Sequence, residues 1–215
     1  MHEVRVMGAL IISINQGKRM KKLFTAIAIS MAVMLSGCAS IYVDKATPEI
    51  PSSAFKKPSS PKPVQVLVEF QTKGVSNAAV TNLLAPKIID QIKESGLFSK
   101  VLNTPAPDGA LLSVTLNNVP LTDDAFNKGV VTGLTFGLAG SQVSDGYVCT
   151  LKYIPAAQSS PITKTARHAI HTVLGAKEGP ANGTKVDSLE IAAFMMTRQI
   201  LSTALDDLSR DPEFK

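Results

Sequence analysis

From Val64 to Phe70 apolar side chains fall on every second position: Val64, Val66, Val68 and Phe70, with generally more polar positions between. A period of two marks a half-buried strand. Beyond Gly74 the period lengthens. Val80, Leu83, Leu84, Ile88 and Ile92 recur at helical spacing, Ser76 or Asn77 stands where an N-cap is needed, and Gly96 sits where a left-handed cap ends a helix near Ser95. Pro86 falls inside this stretch and predicts a kink or a late start. Short strands are expected near Lys100–Leu102 and Ala110–Leu116, and a hairpin from Tyr147–Ile154 and Ile162–Val173 across the turn-forming stretch 155–161. The last element is a helix to about Leu208, with Ala193, Phe194, Leu201, Ala204, Leu205 and Leu208 as its apolar stripe. Asp187 and Glu190 resemble a capping box at its start, and Asp211-Pro212 closes it. The fold class that follows is α+β, two-layer, with a mixed four- to five-stranded sheet covered by two helices.

One stretch fits neither period. Residues 129–144, GVVTGLTFGLAGSQVS, carry no charge and have glycines at 129, 133, 137 and 140. The run is too short to span a bilayer, and glycine weakens a helix in water by about 1 kcal/mol per residue. Three readings stay open: a buried turn between strands, an exposed apolar loop that docks on a partner or membrane, or part of an oligomeric ring. In the second reading Leu134, Phe136 and Leu138 make the contact, so charged substitutions there would abolish function and leave folding intact.

The N-terminal region has its own grammar. Lys18, Arg19, Lys21 and Lys22 precede the uncharged run Leu23–Met34, which is followed by Leu35-Ser36-Gly37-Cys38. Twelve residues span about 18 Å as a helix, short of the roughly 30 Å of a bilayer core, so the order is that of a secretory signal peptide. Leu-Ser-Gly-Cys resembles the lipobox of bacterial lipoproteins. That resemblance implies a signal peptide over 1–37, a diacylglyceryl thioether on Cys38, and an N-acyl group on its freed amine. Met20-Lys21-Lys22 is a natural start for such a leader, so residues 1–19 read as an over-extended gene start. Ala39 rather than Asp after the cysteine implies, by the enteric sorting pattern, the outer membrane with the protein facing the periplasm. Residues 38–63 then read as a lipidated N-terminus and a Pro/Ser-rich tether, since five prolines between 48 and 63 exclude helix and central strand. Fully extended, those residues would reach roughly 80 Å at about 3.1 Å each. Residues 64–215 are left as a single α+β domain.

Charge adds little once the leader is set aside. The formal charge is +5, but residues 1–37 hold five of the 22 basic and one of the 17 acidic side chains, leaving 17 against 16. With few aromatics and no Trp, nothing favours a nucleic-acid or glycan platform. Catalytic patterns are equally scarce. His168 and His171 sit three apart on a strand, hence on opposite faces, and cannot chelate one ion together. Cys149 lacks an intrachain partner once Cys38 is lipidated and reads as a buried apolar cysteine. Ser141 to Gly146 holds Ser and Asp without a nucleophile elbow, Asp123-Asp124 reads as a solvated turn, and no phosphate-binding glycine pattern occurs. No enzyme, metal or diffusible cofactor is expected.

The strand VQVLVEF, the helix after it, and Glu94-Ser95-Gly96-Leu97-Phe98-Ser99-Lys100-Val101 leading to a further strand complete the picture. Over about residues 64–117 this resembles the α+β domain of periplasmic lipoproteins such as the curli-secretion lipoprotein and the activators of penicillin-binding proteins. The resemblance maps no functional residue onto this chain. It implies a non-enzymatic outer-membrane lipoprotein that binds another envelope component, a protein, in assembly or maintenance, alone or as an oligomer. The competing reading is a carrier of lipid or amphiphile that uses the apolar segment 129–140.

Overall fold

The structure, a computed structural model, describes residues 39–120, 142–157, 159–175 and 178–215. Eight strands and two helices follow one another as β1 (Ala39–Asp44), β2 (Pro63–Thr72), β3 (Val75–Ser76), α1 (Ala78–Ser95), β4 (Lys100–Leu102), β5 (Leu111–Pro120), β6 (Gln142–Ile154), β7 (Ile162–Leu174), β8 (Gly183–Val186) and α2 (Leu189–Ser209). The strands form one mixed sheet in the order β3-β2-β5-β6-β7-β1-β8, and β4 pairs with β2 as well. Both helices pack on the same side, α1 over β2 and α2 over β7, β6 and β1. The class is the α+β two-layer fold that the periodicities predict.

The periodic segments fold as their patterns dictate. β2 lies parallel to β5, with Val66 opposite Leu112 and Phe70 opposite Leu116, and α1 makes the crossover between them. Val64, Val66, Leu112, Val114, Leu116, Cys149, Leu151 and Tyr153 are buried beneath the helices. The opposite face carries a row of polar partners, Thr115 beside Thr150 beside Thr165. In α1 the Asn77 side chain accepts from the Val80 N–H at 3.2 Å, and Gly96 closes the helix at φ 65°. The chain then turns so that Leu97 and Phe98 are buried. At that end Phe98, Tyr153 and Phe214 meet ring to ring at 5.3–5.8 Å.

Three expectations need correction. Among the described residues the sheet has eight strands, not four or five, because β1, β3 and β8 are two to six residues long and too short to show a period. The helix α1 does not start late, but runs from Ala78 through Pro86 to Ser95. Pro86 and Asn82, whose carbonyl the proline cannot serve, are both on the exposed side, where water replaces the lost donor.

The third correction is the largest. Residues 39–63 are not a free tether but part of the fold. β1 lies between β7 and β8, antiparallel to both, with Ala39 opposite Leu174 and Ile41 opposite Val186. The proline-rich stretch then lies along α2. The Ile50 N–H donates to Ser202 Oγ at 2.9 Å, the Lys56 N–H to Ser209 Oγ at 3.1 Å, and Phe55 is buried in the core. Closely spaced prolines disfavour a long helix or an inner strand, but they leave an extended chain free to donate its remaining N–H groups to hydroxyls on a neighbouring helix.

Candidate binding site

The two helices run in the same direction and touch in their middle turns. There Gln91 Nε2 donates to the Arg198 carbonyl at 2.8 Å, and the Lys87 ammonium sits 5.7 Å from the Phe194 ring centre. One turn nearer their N-termini the facing residues are Leu84 and the small Ala193, and a cleft of about 380 Å³ opens between the helices. Phe70 of β2 and Tyr147 of β6, their rings 6.5 Å apart, belong to its sheet side. Val80, Leu83 and Leu84 line it from α1, and Leu189, Glu190, Ala193 and Met196 from α2. The volume lies in the lower part of the range of small-molecule sites, about 300–1,000 Å³.

The chemistry of this cleft is almost wholly apolar. Burial, with Asp145 adding to it against a hydrogen bond from Asn118, pushes the Tyr147 phenol far above its ordinary value, so the ring stays neutral. Glu190, on the exposed first turn of α2, supplies the charged group of the lining. Such a lining offers mainly apolar contact area, with the Glu190 carboxylate and the Tyr147 phenol as its ionisable groups. Among the described residues no cluster of three or more His, Cys, Asp or Glu could hold a metal ion. Nor is any helix there long and apolar enough to cross a membrane.

The residues singled out from sequence land elsewhere. Cys38 precedes the described residues, and Leu134, Phe136 and Leu138 lie outside them. His168 faces α2: its Nδ1 accepts from the Ala169 N–H at 2.8 Å, which leaves Nε2 to donate to Gln199 Oε1 at 2.7 Å. Burial pushes this imidazole below its ordinary pKa. His171 points to the other face of the sheet and meets Asp44 at 3.2 Å. Burial alone would raise the Asp44 carboxyl, but His171 and the Ala46 N–H outweigh it and hold it below the usual carboxylate value. Asp44 also accepts from Asn182 at 3.1 Å, so it clamps β1 to β7 and to the turn before β8. Cys149 is free and fully buried, and burial pushes its thiol up to about 12.

The cleft itself was only half legible. Val80 and Leu83 read as core because they share a helical stripe with Leu84, yet Leu83 stays half-exposed at the cleft rim. A second apolar residue beside Leu84 made the stripe wider than one buried face requires, and that excess was the available signal.

No family model and no curated protein matches this chain. Among solved structures, the PelC dodecamer from Paraburkholderia phytofirmans is similar at 14% identity and TM-score 0.31, covering 79% of this chain and 97% of that one. A Xanthomonas campestris protein of the DUF330 family is similar at 13% identity and TM-score 0.33, covering 76% and 84%. A minor lipoprotein from Acinetobacter baumannii is similar at 15% identity and TM-score 0.32, covering 69% and 90%.

Proposed function

We propose that this chain is a non-enzymatic lipoprotein of the outer membrane, anchored through acylated Cys38 on the periplasmic side. Its α+β unit binds the apolar part of another envelope component in the assembly or maintenance of the envelope. The observation that carries the binding role is the apolar cleft between α1 and α2. The anchor rests on the Leu35-Ser36-Gly37-Cys38 sequence. Of possible occupants, the lining favours an aliphatic chain of a lipid or amphiphile. An extended peptide would bury backbone N–H and C=O groups against a wall with almost nothing to pair them, whereas an acyl chain carries none. A protein partner would have to enter as an apolar helix, which satisfies its own backbone.

The test is a photo-crosslinking residue at Leu83 in the full chain in cells, with and without the substitution Ala193→Phe that fills the cleft. A light-dependent lipid adduct at Leu83, lost in A193F while thermal unfolding is unchanged, supports the amphiphile reading; a discrete protein adduct lost in the same way supports a protein partner. Labelling at Leu83 no stronger than at exposed Thr163 in β7 would remove the cleft from the function. Incorporation of radiolabelled fatty acid, absent in Cys38→Ser, checks the anchor independently.

A further inference from the structure

An anchor on Cys38 acts differently once Ala39 is known to begin a strand inside the sheet. We infer that the folded unit does not hang from the bilayer on a spacer. It sits directly on the bilayer, with the apolar rim around the start of β1 in the boundary between lipid headgroups and acyl chains. This rests on the acylation of Cys38 proposed above.

The geometry begins with distance. Cys38 and Ala39 are joined by one peptide bond, about 3.8 Å between α-carbons. Ala39 is paired with Leu174, whose side chain is 50% exposed. Ile41 is paired with Val186, the last residue of β8, and α2 starts three residues later at Leu189. Adding the chain's maximal reach to one interstrand spacing places Leu189 within about 25 Å of Ala39. Leu189 is 56% and Ile191 47% exposed. An acylated Cys38 therefore holds Leu174 against the membrane and leaves Leu189 and Ile191 within reach of it.

The distribution of exposed apolar side chains fits the same orientation. β2 and β5 are parallel, β6 opposes them, β7 opposes β6, and β1 opposes β7. The strand ends that share a side with Ala39 are thus the C-terminal ends of β2, β5 and β7 and the N-terminal end of β6, and α1 and α2 both start there. Among the described residues, five of the six exposed large apolar side chains (Val75, Leu83, Leu174, Leu189 and Ile191) lie on these ends, and Leu67 lies mid-strand. The opposite side, with the β6–β7 turn and the helix C-termini, presents Asp108, Asp211, Glu213 and Lys215. Among the described residues charge does not explain the pattern: Lys73 and Lys185 are matched by Asp145, Asp187 and Glu190 on the Ala39 side. Seating by apolar contact is therefore expected to persist at high salt. Leu83 and Leu189 also line the cleft, so the cleft opens toward the bilayer and an acyl chain can enter it from there.

The test uses the full acylated chain reconstituted in phosphatidylethanolamine–phosphatidylglycerol vesicles that contain doxyl-labelled lipid. An environment-sensitive fluorophore is placed by Leu174→Cys, Leu189→Cys or, on the far side, Thr163→Cys, and the buried Cys149 stays unlabelled. Quenching several-fold stronger at 174 and 189 than at 163, unchanged by salt, is the expected result. A Gly/Ser insertion of about ten residues between Ala39 and Ser40, with a mean reach of roughly 18 Å, is expected to erase most of the difference. Equal quenching at all three positions, in protein shown by intact mass to be acylated at Cys38, overturns the seating and leaves the anchor standing. An intact mass without acyl groups overturns the anchor, and the seating with it.

Discussion

His168 is fully buried with both ring nitrogens engaged, and it is neutral because burial disfavours its charged form. In the unfolded chain the same side chain takes a proton near pH 6.5. Between that pH and the lower folded-state value the unfolded chain binds more protons, so stability falls as the pH drops. Asp44 acts lower on the scale: its carboxyl is held below the ordinary value, and its contribution is present above about pH 4 and lost below. We expect the urea midpoint of the wild-type protein to decline from pH 7.5 to 5.5, with a limiting slope from His168 of about 1.4 kcal/mol per pH unit. The substitution His168→Gln should flatten this decline; an unchanged profile would place the titration elsewhere.

At the level of elements, the start of α2 shows how one residue of register decides a role. The N-cap is Ser188, whose hydroxyl accepts from the Ile191 N–H at 3.2 Å, not Asp187. With Ser188 as cap, Glu190 falls at the second helical position, one short of where a capping box needs it. Ser188→Ala should therefore cost about 1 kcal/mol in chemical denaturation, and Asp187→Ala less than about 0.5 kcal/mol. Had the sequence reading been right, the two effects would be reversed.

For the molecule as a whole, the decisive segment is the one that reads as a spacer. β1 fills the place between β7 and β8, and Val43 and Phe55 are core residues. A chain beginning at Val64 would expose the β7 edge, leave β8 without a neighbour and open holes beneath α2. We expect that truncation to lose cooperative thermal unfolding by circular dichroism, and Val43→Ala in the full chain to cost about 2 kcal/mol. A truncated chain that melts like the intact protein would restore the tether. If Cys38 carries the proposed acyl anchor, the same insertion of β1 would make that attachment an oriented one.

What the sequence determined by itself was everything that local periodicity carries. Alternating or strand-like runs gave β2, β6 from Tyr147 on and β7, helical stripes gave α1 and α2, and Gly96 marked its left-handed turn, because each signal is complete within one segment. The tertiary structure decided what depends on distant neighbours. Ile41, Tyr42 and Val43 make too short a run to declare a strand until β7 and β8 flank them. Leu83 stays half-exposed at the rim of a cleft whose other wall includes the small Ala193. A residue's pattern states that it prefers to leave water; whether another surface is there to cover it depends on packing between segments far apart in the chain.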